Sequence, residues 1–340
     1  MLSAKTRTDT LAKTRTSPLK KFHRISELGV LVSLVVVCVA FTILTDGQFA
    51  TVGNIATLLA QAAELGIVTI GIAFILISGE IDLSVGSVYG MGALLFVFFP
   101  SQVGGFFSSQ LGSVAAFFIA VGLACLVGLC NGLITLKTGV PSLIVTLGMQ
   151  FFVRGIIYFT TQGFTMSIPT NFLTNILAGN LIGDFLISMV WFVLFVVVFT
   201  LVLRFTPYGN AVFAVGGNKE VARAMGINVD RVKLTNFILC AGLAGLAGTI
   251  SASRFHTVAA TTGVGVELEA IAAAVIGGCL ITGGYGSIVG ACLGALFIPA
   301  ISAGLIMAGA PSYWYQAFVG VVLVAAAVIN LFVVRRTLKS

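Results

Sequence analysis

The chain has 340 residues, of which 58% are hydrophobic and only 9% are charged. Soluble domains carry roughly 25% charged residues, so this composition excludes a soluble protein and indicates a membrane protein. Its apolar stretches are continuous rather than alternating, which favours helices over the strands of a barrel. The six cysteines form no Cys-x-x-Cys pair and there are only two histidines. We therefore expect neither a metal site nor a disulfide framework.

The chain begins with a basic segment at residues 1–26, followed by an apolar stretch that ends near Leu44. A signal peptide is one interpretation of this pattern, but no clear small-x-small cleavage site follows. We expect an uncleaved first helix with its N-terminus in the cytoplasm, preceded by a basic cytoplasmic tail.

Hydropathy predicts an all-α, polytopic membrane protein with about ten crossings of about 20 residues each. Basic residues cluster at both ends of the chain and between residues 204 and 233, which is typical of cytoplasmic segments rather than of nucleic-acid binding. Placing all three clusters inside gives cytoplasmic termini, six helices before the central loop and four after it. The alternative is that one segment is re-entrant. The predicted helices lie near 28–45, 55–78, 84–103, 112–136, 141–161, 183–204, 234–253, 266–282, 286–308 and 314–334.

An acidic run, Gly79–Gly86, interrupts two charge-free stretches and reads Gly-Glu-Ile-Asp-Leu-Ser-Val-Gly. Carboxylates are expensive in or beside the hydrocarbon layer, so they usually face a polar cavity, a partner or the membrane surface. Glu80 and Asp82 either line a transport path or hold this hairpin at the cytoplasmic face. We favour the structural role, because Asp82 can cap a helix that starts near Ser84.

A second segment resembles the one that contains this run. Glu64–Leu95 and Glu267–Phe297 each consist of a Glu-led apolar helix, a glycine-rich turn and another helix. In the predicted topology both hairpins point the same way. The similarity is either an internal repeat, which is common in transporters, or a chance likeness between glycine-rich hairpins.

The central basic loop contains the signals of a short helix. Asn218 is a good N-cap, Glu220 suits the positive end of a first turn, and Gly226 is a natural stop. These residues predict about two helical turns between membrane helices, with Lys219 and Arg223 on one side. The helix either transmits force from a partner or is a surface turn that covers the helix ends.

These motifs resemble those of one family. The run Gly79–Ser87 is similar to the Gly-x-x-Asp-Leu-Ser-Val-Gly-Ser run in permease subunits of ribose-, xylose-, arabinose- and galactose-type ABC importers, in the superfamily that also holds branched-chain amino acid permeases. Residues 268–286 resemble a further shared region, and the likeness extends from about residue 50 to the C-terminus. The central loop resembles the family's ATPase-docking loop at Gly217, Asn218, Lys219, Glu220, Ala222, Arg223 and Gly226.

The resemblance implies a bacterial inner-membrane, multi-pass subunit that is not itself an enzyme. It would pair with a second permease, identical or paralogous, and work with cytoplasmic ATPases and a periplasmic sugar-binding protein. ATP and Mg would bind to the ATPase, in agreement with the absence of a phosphate-binding Gly-x-x-x-x-Gly-Lys-Ser/Thr motif here. The chain then divides into the tail at 1–26 and one permease domain at 27–340, with its coupling loop near 205–233.

Several polar residues lie at expected membrane depth. Arg154 needs a partner, which is Glu64, Asp184 or Glu267, unless it extends outward to the interface. A further group of polar side chains either hydrogen-bonds sugar hydroxyls or, more commonly, joins neighbouring helices. This group comprises Glu64, Gln61, Gln150, Asn131 and Glu269.

Other functions remain as alternatives to monosaccharide import. A related permease would carry an autoinducer-type furanose, a polyol or a branched-chain amino acid. An ion-coupled secondary transporter would explain the hydropathy and the carboxylates, but it would not explain the short helix in the central loop. A membrane enzyme would need a nucleophile with a base or a metal, and the sequence suggests no such constellation. The sequence does not identify the sugar.

Overall fold

The computed structural model describes residues 18–311 and 313–337, so most of the predicted tail, residues 1–17, lies outside the described residues. The described residues form a helical bundle with two small pairs of strands. The α-helices are α1 (Pro18–Leu44), α2 (Val52–Ile77), α3 (Val85–Phe98), α4 (Gln110–Thr138), α5 (Ser142–Thr161), α6 (Phe172–Ala178), α7 (Ser188–Phe205), α8 (Pro207–Gly217), α9 (Lys219–Ala224), α10 (Val229–Phe255), α11 (Val266–Ile276), α12 (Ile288–Met307) and α13 (Trp314–Thr337).

The predicted all-α membrane architecture is confirmed. Within the described residues, eight helical segments are long and apolar enough to cross a membrane, namely residues 27–44 of α1, α2, residues 85–103 from α3 onward, α4, α5, α7, α10 and α12. Helix α13 contributes a shorter apolar segment, Trp314–Ala325. Helix α11 has 11 residues, about 16 Å at 1.5 Å per residue, which is too short to cross a hydrocarbon layer of about 30 Å alone. Ten crossings and cytoplasmic termini therefore stay predictions.

Several predicted helix boundaries were wrong by five residues or more. Helices α1 and α10 begin at Pro18 and Val229, before their predicted starts near 28 and 234. Two other boundaries differ because glycine and strand geometry intervene. The helix predicted at 266–282 ends at Ile276, since Gly278 adopts a left-handed conformation that terminates it. The helix predicted at 183–204 begins only at Ser188. Before it, β2 (Asn180–Ile182) and β3 (Phe185–Leu186) form an antiparallel hairpin. A second antiparallel pair joins β1 (Met166–Ser167) to β4 (Thr257–Val258).

Helix α2 lies at the centre of the bundle and contacts α7, α10, α11 and α12. Its residues from Ala62 to Ile77 are all buried, and a helix that is apolar all round is one that packs on all sides. Helices α5 and α7, in contrast, expose most of their apolar side chains, as expected where helices face lipid. The core of the protein therefore forms around α2, α3 and α10.

The connections of the bundle meet at one end around α9. There Gly79, in the turn after α2, lies beside Gly216 of α8 and Gly283 of the turn after α11. The backbone N–H of Ile81 also donates to the Ser142 Oγ at the start of α5 (3.2 Å). We call this the α9 end of the bundle, defined by the turns 78–84 and 277–287 and by residues 206–228.

Candidate functional site

Helix α9 has the boundaries that its sequence predicts. The Asn218 Oδ1 accepts hydrogen bonds from the backbone N–H groups of Glu220 (3.0 Å) and Val221 (3.1 Å), which satisfies two of the free donors of the first turn. Gly226 is left-handed, with φ of +84°. The Ile227 N–H donates back to the Ala222 carbonyl, which closes the C-terminus of the helix.

The surface of α9 combines charged and apolar side chains. Ala222 is buried and anchors the helix to the bundle, while Val221 and Met225 are 53% and 74% exposed. Arg223 pairs with Glu220 (3.6 Å) and Asp230 (3.2 Å) on the exposed side. Lys219 and Gly217 are also exposed. Exposed apolar residues bordered by such charges are suited to contact another protein.

Two turns and the C-terminal end of α8 meet at the α9 end in a contact between backbones, which we call the glycine junction (Ile77, Gly79, Gly216, Gly283 and Gly284). The Gly284 N–H donates to the Ile77 carbonyl (2.8 Å). A Cβ on Gly216 would overlap that same carbonyl, and one on Gly283 would lie 2.8 Å from the Gly216 oxygen. Only glycine permits this approach. The hairpins after α2 and α11 therefore point the same way, as predicted, and both contact α8.

The hairpin Gly79–Gly86 is held by side chains on either side of it. Glu80 pairs with Lys233 at 2.5 Å, and both side chains are largely buried. The Leu83 N–H donates to the Thr146 hydroxyl of α5 (3.1 Å). The ion pair connects the hairpin directly to α10, which follows α9 in the chain.

Asp82 lies at the centre of a buried hydrogen-bond network. Its Oδ1 accepts from the Ser84 N–H (2.8 Å) and from the Ser84 hydroxyl (2.6 Å). Asn131 Nδ2 in turn donates to the Ser84 oxygen (2.8 Å). Burial raises the pKa of Asp82 to about 6, against the hydrogen bonds that favour its charged form. Asp82 thus holds the turn before α3 but accepts from no N–H group in the first turn of that helix, so its predicted capping role stays a prediction.

Arg154 does not form an ion pair with any of the three carboxylates considered for it. Its Nη1 donates to the Thr262 carbonyl (2.8 Å), and its Nη2 to the Gly86 carbonyl (3.3 Å). The guanidinium thus joins α5 to the start of α3 and to the loop before α11, since backbone oxygens satisfy its donors. Glu267 instead accepts from Gln150 (2.8 Å).

Glu64 pairs with Arg254, a partner that sequence reasoning missed. The Arg254 Nε lies 3.2 Å from the Glu64 Oε1, and the Tyr89 hydroxyl donates to the Oε2 (3.2 Å). The arginine also stacks on the Phe255 ring at 4.2 Å. Arg254 lies one residue beyond the helix predicted at 234–253, and the packing of α10 on α2 brings it to Glu64.

A polar cavity of about 230 Å³ lies beside Glu64, between α2, α3, α11, α12 and α13. It brings together three of the predicted polar residues, Gln61, Glu64 and Glu269, and the Tyr315 hydroxyl lies beside the Glu269 carboxylate. Sequence analysis missed most of the other members of this cavity, because their helices are distant in the chain. The lining comprises Gln61, Glu64, Leu65, Tyr89, Val266, Glu269, Pro299, Ser302 and Tyr315. No group of three or more metal-binding side chains was found within the described residues.

Comparison with known proteins identifies the family. A family described as "Branched-chain amino acid transport system / permease component" matches residues 54–327. The chain belongs to this permease family. The predicted recognition as a transport permease is thereby confirmed, and a permease component works with the other components of its transport system.

Several curated relatives match most of the permease. A xylose/arabinose import permease of Sulfolobus acidocaldarius is 35% identical over 89% of this chain and 85% of its own length. The ribose import permease of Escherichia coli K12 is 34% identical, over 87% of this chain and 90% of its own. A probable ABC transporter permease of the same strain is 32% identical over 95% of each chain. No solved structure matches.

Proposed function

We propose that this permease is the membrane subunit of an ATP-driven importer for a monosaccharide of the pentose or hexose type. The observation that carries the proposal is its similarity to relatives named as xylose/arabinose and ribose import permeases, along nearly their whole length. These names favour a sugar over a branched-chain amino acid. An autoinducer-type furanose and a polyol share much of the chemistry of a sugar and remain alternatives.

We assign α9 the role of the contact with the ATPase. The helix is short, capped at both ends and anchored by Ala222, and it presents charged and apolar side chains outward. ATP and Mg would bind to that partner, which would move α9 as its two copies close. The glycine junction would pass the movement on, because α8 contacts the hairpins after α2 and α11 there. Tilting of these hairpins would switch access between the two sides.

The remaining partners follow from the same proposal. A periplasmic sugar-binding protein would deliver the solute at the end opposite α9, and a second permease, identical or paralogous, would complete the transport unit. The lipid around the pair would be that of the bacterial inner membrane. The coupling loop of this unit is the segment near 205–233.

Charge reversal on α9 tests the proposal. Arg223→Glu places a third carboxylate beside Glu220 and Asp230. Because all three side chains are exposed, we expect a loss of less than about 1 kcal/mol in stability. ATP-driven sugar uptake by the complete transporter, measured in proteoliposomes, should nevertheless fall at least tenfold.

A matched control separates coupling from general charge effects. Lys137→Glu reverses an exposed charge in the last turn of α4, outside the segment 205–233, and should retain most of the uptake. Gly226→Pro, which removes the left-handed stop of α9, should abolish uptake while the chain remains in the membrane. Normal uptake by both Arg223→Glu and Gly226→Pro would refute the role of α9.

A further inference from the structure

The polar cavity has the dimensions and lining of a binding site for a small neutral solute. Its volume of about 230 Å³ lies below the range of roughly 300–1,000 Å³ typical of pockets for drug-sized ligands. Apolar residues and two tyrosine rings form part of the wall, and a few polar groups converge on the space. Such a combination orients a small ligand through its hydrogen-bonding groups.

The polar groups of the lining include two carboxyl groups, and the hydroxyls of Tyr89 and Tyr315 can donate as well as accept. Glu64 and Glu269 contribute carboxyl groups, while Gln61 and Ser302 can both accept and donate. No lysine, arginine or histidine is part of the described lining. The cavity is therefore suited to a ligand with several hydroxyl donors and unsuited to one with a negative charge.

The two carboxylates differ in what they already bind. Arg254 and Tyr89 hold Glu64, which makes it a fixed part of the wall. Glu269 has no ion-pair partner within the described residues, and the Tyr315 hydroxyl is the hydrogen-bond partner of its carboxylate. Glu269 thus remains able to accept hydrogen bonds from a ligand.

The cavity lies well inside the bundle. Glu64 is the thirteenth residue of α2, about 18 Å along the helix from its start. On the facing helix, Pro299 lies within α12, where it lacks the N–H that would continue the helical hydrogen bonds. A solute in the cavity would therefore lie deep between the two ends of the protein.

We propose that this cavity is a contact site for a neutral polyhydroxylated solute during transport, with Glu269 as its hydroxyl acceptor, and that it disfavours phosphorylated or carboxylated solutes. The proposal rests on the proposed function, since it assigns that function a site on the permease itself. It also favours a sugar over an amino acid, whose carboxylate would face Glu269 without a basic partner.

A reactive thiol within the cavity measures its preference for charge. Ser302→Cys is introduced into the complete transporter and exposed to a cationic trimethylammonium or an anionic sulfonate methanethiosulfonate reagent. Ser108→Cys, at the exposed end of the short 3-10 helix Gly105–Ser108, provides the ratio of the two reaction rates outside the cavity. The unmodified chain with its six cysteines supplies the background. We expect the cationic-to-anionic ratio at residue 302 to exceed that at residue 108 by at least tenfold. Glu269→Gln should reduce this excess.

Uptake provides a second measurement. With D-ribose or D-xylose, whichever the cognate binding protein binds, Glu269→Gln should lower ATP-driven uptake about tenfold. ATP hydrolysis stimulated by the loaded binding protein should persist. Asp46→Asn, the same carboxyl-to-amide change at an exposed position, should transport normally.

The outcomes separate the two proposals. Suppose that the wild-type complex takes up sugar. Equal cationic-to-anionic rate ratios at residues 302 and 108, or normal uptake by Glu269→Gln, would then overturn the proposed site and leave the importer intact. Loss of both hydrolysis and uptake in Glu269→Gln would also overturn it, since the residue would then be structural. No ATP-driven uptake by the wild-type complex would refute the importer itself.

Discussion

The glycine junction is built from backbone atoms, whereas the polar cavity is built from side chains. At the junction, Gly216 and Gly283 allow the end of α8 and the turns after α2 and α11 to come within contact distance of one another. In the cavity, Glu64 and Glu269 project from separate helices that need not approach as closely. A backbone contact tolerates almost no change in shape, but a side-chain lining can change its chemistry while the helices stay in place. The comparison implies that coupling is fixed by steric fit and that solute handling is tunable.

A methyl group at the junction should produce the largest effect. In Gly216→Ala, the added Cβ overlaps the Ile77 carbonyl, so the backbone must separate or the junction must open. We expect a loss of about 3 kcal/mol or more in stability and no ATP-driven uptake. Thermal unfolding in detergent and uptake in proteoliposomes measure the two effects.

The neighbouring glycine is the control for this prediction. Gly217→Ala meets no atom within 4 Å and requires no left-handed conformation. It should retain the stability of the wild type. Equal stability of Gly216→Ala and Gly217→Ala would contradict the contrast between junction and cavity, because the junction would then tolerate an added methyl group.

Removal of a charge next to the junction should have an intermediate effect. Glu80→Gln leaves Lys233 without its partner in a largely buried position. We expect a loss of roughly 2 kcal/mol in stability, since breaking a buried pair is costly but both groups retain some access to water. Uptake should fall only severalfold.

The exchanged pair, Glu80→Lys with Lys233→Glu, sharpens this prediction. If the ion pair serves only to join the hairpin to α10, the double variant should recover part of the stability lost in Glu80→Gln. A double variant less stable than Glu80→Gln alone would show that the identity of each residue matters beyond the pairing.

The smallest effect on uptake is expected at Asp82. Asp82→Asn keeps an oxygen that accepts from Ser84, so uptake should be close to that of the wild type. Asp82→Ala loses this acceptor and should cost about 1–2 kcal/mol. Loss of uptake in both variants with folding intact would instead place the carboxylate in the transport path.

The pKa of Asp82 adds a pH dependence. Because burial raises it to about 6 in the folded protein, above roughly 3.9 in an unfolded chain, the group favours folding below about pH 4. That contribution is lost as the pH rises through about 6. The stability of Asp82→Asn minus that of the wild type, measured by thermal unfolding, should therefore be larger at about pH 7.5 than at about pH 5.

Local signals in the sequence predicted α9 more accurately than the longer helices. Asn218 and Gly226 determine its two ends through contacts within a few residues, so the prediction needed no tertiary information. The end of α11 was wrong because apolar composition continues past Ile276, and only the left-handed Gly278 ends the helix. Composition identifies a membrane segment, but it does not determine where the helix within it stops.

Burial and pairing required the structure. An 18-residue apolar stretch of α2 has a mean hydropathy of 2.0 and one of α7 a mean hydropathy of 2.4, yet 94% of the residues in the first and 11% in the second are buried. Hydropathy does not distinguish contact with protein from contact with lipid, because both are apolar. The partner of Glu64 was also unpredictable from sequence, since Arg254 lies 190 positions along the chain and reaches it only through the packing of α10 on α2.

The most direct test of the account is to tag the permease in its native host, purify it in mild detergent and identify the accompanying proteins by mass spectrometry. The account predicts a stoichiometric ATPase and a second permease subunit, with the ATPase lost in Arg223→Glu and retained in Glu269→Gln. A chain that purifies alone and moves sugar into liposomes without ATP would contradict it.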